Sequence, residues 1–335
     1  MIHAQAGRKA YDEGRYVDAE KHYLDALKEA EKHGPSNRRL AQSLNDLGLL
    51  YQAQARYLEA ESLQKQALSI KEKILGPDDP ELAVSLNYLA YIYHDQGKYS
   101  EAEVLYKRAL SIIEKSFPAE HPEVAHGLNS LGQLYYSQGR YAEAEPLQER
   151  ALAIKHKVFG LEHPEVSYSL NLLAILYMAE HKYEMAEPLL KQALLIQEKM
   201  LGPEHPESTK IMNNLAMLYL KQKRFGEAEP LLRKALALRE KGLGPKHPVV
   251  ATSLANLGGF YEAQGNYAEA EKHYKHALDI FDTSLGPGYP DLTDTLKVYA
   301  ALLRKMGRCT EAQQLEARVQ EIAGKANNKS VTKSP

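Results

Sequence analysis

An asparagine returns at Asn45, Asn87, Asn129, Asn171 and Asn213, so this chain repeats itself every 42 residues. A tyrosine six places later keeps step as Tyr51, Tyr93, Tyr135, Tyr177, Tyr219 and Tyr261. A Glu-Ala-Glu triplet does the same, starting at Glu59, Glu101, Glu143, Glu227 and Glu269. Such a period means one small unit stacked on copies of itself, since no single unit can bury its own apolar face. No insertion breaks the register between Leu40 and about Glu311.

Each unit reads as two helices. Leu86, Leu89, Ala90 and Tyr93 fall at i, i+3, i+4 and i+7, one stripe of a 3.6-residue period, and Ala102, Leu105, Ala109 and Ile112 make another. Gly97, with Gly139 and Gly265 in its copies, can take the left-handed conformation that ends the first helix. His181 and Lys223 stand at that position in two units and predict strain of about 1 kcal/mol each. Small residues at Gly48, Ala90, Gly132, Ala174, Ala216 and Gly258 let the paired helices approach closely. A Leu-Gly-Pro-x-His-Pro-Glu linker, fullest at Leu201–Glu207, stops one unit and starts the next. Pro146, Pro188 and Pro230 fall a few residues into the second helix and predict a loosened first turn there.

Charged residues are 26% of the chain and hydrophobic ones 44%, at a formal charge of -2, which favours a soluble folded protein over one drawn to nucleic acid or anionic lipid. The single cysteine, Cys309, fits a reducing compartment, and the expected location is the cytoplasm. Met1 to Tyr11 lacks the apolar centre of a signal peptide, and no apolar run approaches a membrane span.

The order Leu-x-x-Leu-Gly/Ala-x-x-Tyr, then Gly-x-Tyr-x-x-Ala, then a further alanine, resembles the tetratricopeptide repeat. The usual repeat of that family is shorter; this 42-residue form, with Leu-Asn-x-Leu-Ala-x-Leu-Tyr and Tyr-x-Glu-Ala-Glu-Pro-Leu, is similar to kinesin light chains and related proteins. The resemblance runs from about Gly7 to Ile322. It implies an all-α fold, a right-handed α-solenoid (superhelix) of antiparallel hairpins. The expected single domain spans 1–323, with hairpins near 1–34, 39–78, 81–120, 123–162, 165–204, 207–246, 249–288 and 291–323, followed by a disordered polar tail at 324–335. Lys297 and Leu303 replace the asparagine and tyrosine in the last hairpin, as a capping unit would. No heptad segment accompanies the repeats, so cargo transport is not implied.

His121, His163, His205 and His247 recur in step, which keeps them one unit apart and unable to converge on one metal ion; each precedes a proline and suits a turn cap. No phosphate loop, nucleophile elbow or other catalytic motif occurs, and no enzyme, cofactor or metal is expected. The Glu-Ala-Glu carboxylates read as a solvated face at a helix start, and Cys309 as a packing substitution at the turn-tyrosine position. The resemblance implies that a second stripe of the first helix lines a concave groove. Its members are Asn45; Asn87 and Tyr91; Asn129, Gln133 and Tyr136; Asn171, Ile175 and Met178; and Asn213, Met217 and Leu220. A ladder of amides can bracket a peptide backbone whatever its sequence, with the apolar members selecting side chains; alternatively, each asparagine holds helix geometry by bonding a neighbouring carbonyl. The expected function is a protein-interaction scaffold or adaptor binding a linear peptide or short helix, as a monomer, without nucleic-acid or membrane partners. Lys210, Lys221, Arg304 and Lys305 would favour an acidic motif. A self-associating structural module, working through its ends or convex face, is the alternative.

Overall fold

The computed structural model describes residues 2–54, 56–284 and 292–328. Among them it contains helices alone, sixteen in number: α1 (Ile2–Asp12), α2 (Tyr16–Glu31), α3 (Arg38–Ala53), α4 (Tyr57–Leu75), α5 (Glu81–Asp95), α6 (Tyr99–Ser116), α7 (Pro122–Ser137), α8 (Tyr141–Phe159), α9 (Pro164–Ala179), α10 (Tyr183–Leu201), α11 (Ser208–Lys221), α12 (Phe225–Leu243), α13 (Pro248–Ala263), α14 (Tyr267–Ser284), α15 (Leu292–Lys305) and α16 (Cys309–Asn328). They pair as antiparallel hairpins, α1 with α2 through α15 with α16, in agreement with the expected fold class. The chain divides into two compact units, Met1–Leu161 and Glu162–Pro335, and each holds four of these hairpins.

Why the hairpins close is visible in the alanines. Ala60, Ala102 and Ala144 in the first unit, and Ala186, Ala228 and Ala270 in the second, are wholly buried, as are Ala67, Ala109, Ala151, Ala193, Ala235 and Ala277. The opposing small position of the first helix varies with its partner. A Cβ on Gly48 would lie 2.9 Å from Gln64, one on Gly132 2.6 Å from Gln148, and one on Gly258 2.6 Å from Tyr274. Where the second helix carries Leu190 or Leu232, alanine fits instead, at Ala174 and Ala216.

The turns behave as their residues dictate. His181 and Lys223 are held at φ 60° and 58°, the left-handed region that glycine occupies in the sister turns. Helices α8, α10 and α12 run uninterrupted through Pro146, Pro188 and Pro230. Their first turns are tightened and not loosened as expected, each by an i→i+3 bond: Glu143 N to Arg140 O, Met185 N to Lys182 O, and Glu227 N to Arg224 O. The proline ring, lacking an N–H, is thereby accommodated without a break.

Two further features differ from expectation. Helix α16 continues to Asn328, five residues into the stretch expected to be an unstructured tail, and no proline interrupts it there. The remaining tail, and the linker copy Gly286-Pro287-Gly288 with Tyr289, lie outside the described residues. Cys309 is exposed at the start of α16 and does not pack at a turn. No described helix is long and apolar enough to cross a membrane.

Candidate functional site: the first-helix face

The glutamates of the triplet explain how consecutive hairpins are fixed. In the first unit the Tyr51 hydroxyl donates to Glu20 at 2.9 Å, and Arg56 bonds the same carboxylate at 2.8 Å while its guanidinium lies 3.6 Å over the Tyr51 ring. Tyr93 and Lys98 meet Glu61 at 3.3 and 3.2 Å. Tyr135 and Arg140 meet Glu103 at 3.1 and 2.7 Å. In the second unit Tyr219 and Arg224 meet Glu187 at 3.3 and 2.6 Å. Tyr299 and Arg308 meet Glu271 at 2.9 and 2.6 Å, so Tyr299 replaces the hydroxyl lost at Leu303. Glu61, Glu103, Glu187 and Glu271 are therefore inter-hairpin clamps, which corrects the expectation of a solvated face for these carboxylates, while Glu59, Glu101, Glu143 and Glu227 stay exposed as expected. Lys107 and Arg140 hold the Glu103 carboxyl down at about 2, and Glu187 and Glu271 are drawn down to about 2 by Arg224 and Arg308.

The repeated histidines are caps, as their place before proline predicts. Nδ1 of His121, His163 and His247 each accepts from the backbone N–H two residues on, at 3.2 Å, and His205 makes the same bond. Asp79 does so with its carboxylate, at 2.8 Å. These histidines spend their acceptor on a helix start.

The asparagine ladder departs from expectation. Asn45, Asn129 and Asn213 are only 4%, 2% and 7% exposed, and Asn87 and Asn171 are half-buried. From the second helix Gln64 donates to the backbone carbonyl of Asn45 at 3.1 Å, and Gln148 to the backbone carbonyl of Asn129 at 3.4 Å. These asparagines sit where the paired helices meet, one edge inward of the accessible face. In the second unit the Asn171 side-chain oxygen accepts from Asn214 at 2.8 Å, joining α9 to α11.

The outward stripe lies one residue further on. In the first unit α5 presents Val84, Tyr88 and Tyr91, with Tyr91 48% exposed. Gln133 and Tyr136 on α7 are half-buried. Neighbouring first helices are tied by Gln52 to Asp95 at 3.0 Å and His94 to Ser137 at 2.8 Å. In the second unit α9 presents Tyr168, Leu172 and Ile175, and α11 presents Lys210, Asn214 and Met217. Met178 and Leu220 are half-buried beside them. Tyr91, Ile175 and Met217 thus belong to the accessible row, whereas Asn45, Asn129 and Asn213 do not. Val84, Tyr88, Tyr168, Leu172 and Asn214 were missed by reading from the asparagine; the same 42-residue period read from Val84, at i, i+4 and i+7, finds them together with Lys210, which the sequence already offered as a basic position.

A family model described as tetratricopeptide repeat matches seven overlapping stretches, residues 6–73, 41–115, 81–157, 123–199, 165–241, 207–281 and 249–325. The chain belongs to the tetratricopeptide repeat family. This tetratricopeptide repeat protein is similar to the kinesin light chain nearly identical TPR-like repeats of Podosopora anserina, at 31% identity over 61% of this chain and 97% of that one, with a TM-score of 0.51. BtubC (BKLC) of P. vanneervenii shares the fold at 24% identity, covering 70% and 93% of the two chains with a TM-score of 0.55. So does the Rap conjugation gene regulator of plasmid pLS20, solved in complex with the Phr* peptide, at 13% identity over 89% and 78% with a TM-score of 0.65. No curated protein matches the chain.

Proposed function

We propose that this chain is a protein-interaction scaffold that holds a linear peptide on the first-helix face of its second unit, along α9 and α11. The observation that carries this reading is the row of Tyr168, Leu172 and Ile175 beside Met217, half-buried or exposed on helices otherwise packed on their opposite face. An apolar row bordered by the Asn171–Asn214 pair offers contact area together with amide hydrogen bonds, the mixture that binding sites for extended chains use. A bound Phr* peptide on a Rap regulator of the same fold supports a peptide as the kind of partner. Tyr91, Gln133 and Tyr136 offer a second, more polar row in the first unit. The buried Asn45, Asn129 and Asn213 serve packing in this reading and touch no visitor. Each apolar side chain covered by a ligand contributes on the order of 1 kcal/mol, and the partner is bound by a monomer in the cytosol.

The test is a peptide selected from a random library on the full chain. Ile175→Asp with Met217→Asp should weaken its binding at least tenfold, while Asn129→Ala leaves the dissociation constant within about twofold. Equal affinity for the aspartate variant, with helicity unchanged, would remove this face as the site.

A further inference from the structure

One hairpin junction of the second unit breaks the clamp pattern. At the position of Arg56, Arg140, Arg224 and Arg308 stands Asn266, which can only offer its side-chain oxygen to the Glu269 N–H, at 3.4 Å. Glu229, the clamp carboxylate there, has a side chain 37% exposed, against 14–19% for Glu61, Glu103, Glu187 and Glu271. The Tyr261 hydroxyl lies 3.5 Å from Glu229 and takes a bond at 2.6 Å from Arg233 of α12. The ring tells the same story. Tyr51, Tyr135 and Tyr219 carry a guanidinium over one face, whereas Tyr261 is stacked against the His273 imidazole, with centroids 5.4 Å apart and planes 4° from parallel.

We propose that the junction between α12 and the α13–α14 hairpin is a pH-sensitive hinge, opened by protonation of His273. The groups that face this imidazole are Glu269, Lys272 and His276 on its own helix, Arg233 on α12 and the Tyr261 ring on α13. A charge placed on the stacked ring is desolvated against Tyr261 and repelled by Arg233, the residue whose bond to the Tyr261 hydroxyl ties α12 to α13. Glu269 offsets part of this, but burial dominates and favours the neutral ring. The sign follows. A histidine whose folded form resists protonation lends its stabilisation above its ordinary value near 6.5 and loses it as the pH falls below. The carboxylate clamps at Glu187 and Glu271 stay ionised through that window, so the other junctions remain closed. Among the hairpin junctions of the second unit, mild acid therefore loosens this one.

Backbone hydrogen exchange on the full chain, compared at about pH 7.5 and about pH 5.5 after correction for intrinsic rates, reads this directly. One pH unit below the ordinary histidine value allows at most about a tenfold loss of protection. That loss is expected in α13 and α14 and absent in α9 and α10. His273→Phe keeps a stacked ring that cannot titrate and should abolish the difference. Asn266→Arg installs the missing cation and should raise protection of α13 and α14 at the lower pH. His247→Asp separates the cap of α13, since aspartate accepts the same bond without titrating in this range, and the acid response should persist in it. A uniform change across hairpins, a response that survives His273→Phe, or one that vanishes in His247→Asp would overturn the proposal.

Discussion

Tyr135 donates to Glu103, 3.1 Å away and 32 residues earlier in the chain, from one hairpin to the carboxylate of the one before it. Arg140 closes the same site from the turn and also bonds Glu143 at its own helix start, so one cation ties two hairpins together. Tyr135→Phe or Glu103→Gln should each cost roughly 1–2 kcal/mol, because the carboxylate is partly buried and charge-assisted bonds exceed neutral ones. Urea midpoints followed by circular dichroism check this.

Acid should expose these clamps together. Glu103, Glu187 and Glu271 have carboxyls held near 2, below the value of an unfolded chain. Their stabilisation is present above about 4.5 and is lost as the pH falls from there towards 2. Thermal midpoints measured across that window should drop steeply for the native chain, and less for a Glu103→Gln, Glu187→Gln, Glu271→Gln variant that starts lower.

Two turns carry removable strain. His181→Gly and Lys223→Gly place glycine at φ near +60°, where a Cβ is disfavoured, and each should raise stability by about 1 kcal/mol. Urea midpoints of the single variants and the double variant check the gain, and any departure from additivity reads the coupling between these turns of neighbouring hairpins.

The pairing of Gly132 with Gln148 predicts a compensated double change. Gly132→Ala puts a methyl 2.6 Å from the Gln148 amide, which is buried and bonded to the Asn129 carbonyl, and should cost roughly 1–3 kcal/mol. Adding Gln148→Leu recreates the alanine–leucine pair of Ala174 with Leu190 and should recover most of that loss. A double-mutant cycle on unfolding midpoints gives the coupling directly.

The fold was legible in the sequence because the hairpins repeat the same constraints: small residues at the crossing, breakers between helices and, in four of them, a histidine–proline start. The histidine caps were equally legible, since a proline next door fixes where the helix begins. The clamp was not, because Glu103, Tyr135 and Arg140 come together only when one hairpin docks on another. The same holds for Lys71 with Ser85 at 2.8 Å and for the buried Arg239, bonded to Thr209 and Ser253 at 2.9 and 2.8 Å. The candidate face was half legible. An asparagine lying 100° from the core stripe looks outward on an isolated helix, and Asn45, Asn129 and Asn213 become buried only once the hairpins have packed.

Cross-linking sites decide whether a peptide lies along α9 and α11, as proposed. A library-selected peptide carrying a photoreactive benzophenone would be bound to the full chain, irradiated and mapped by mass spectrometry. Adducts are expected on Tyr168, Leu172, Ile175 and Met217. Adducts confined to outward second-helix residues such as Val104 or Leu195 would contradict that placement.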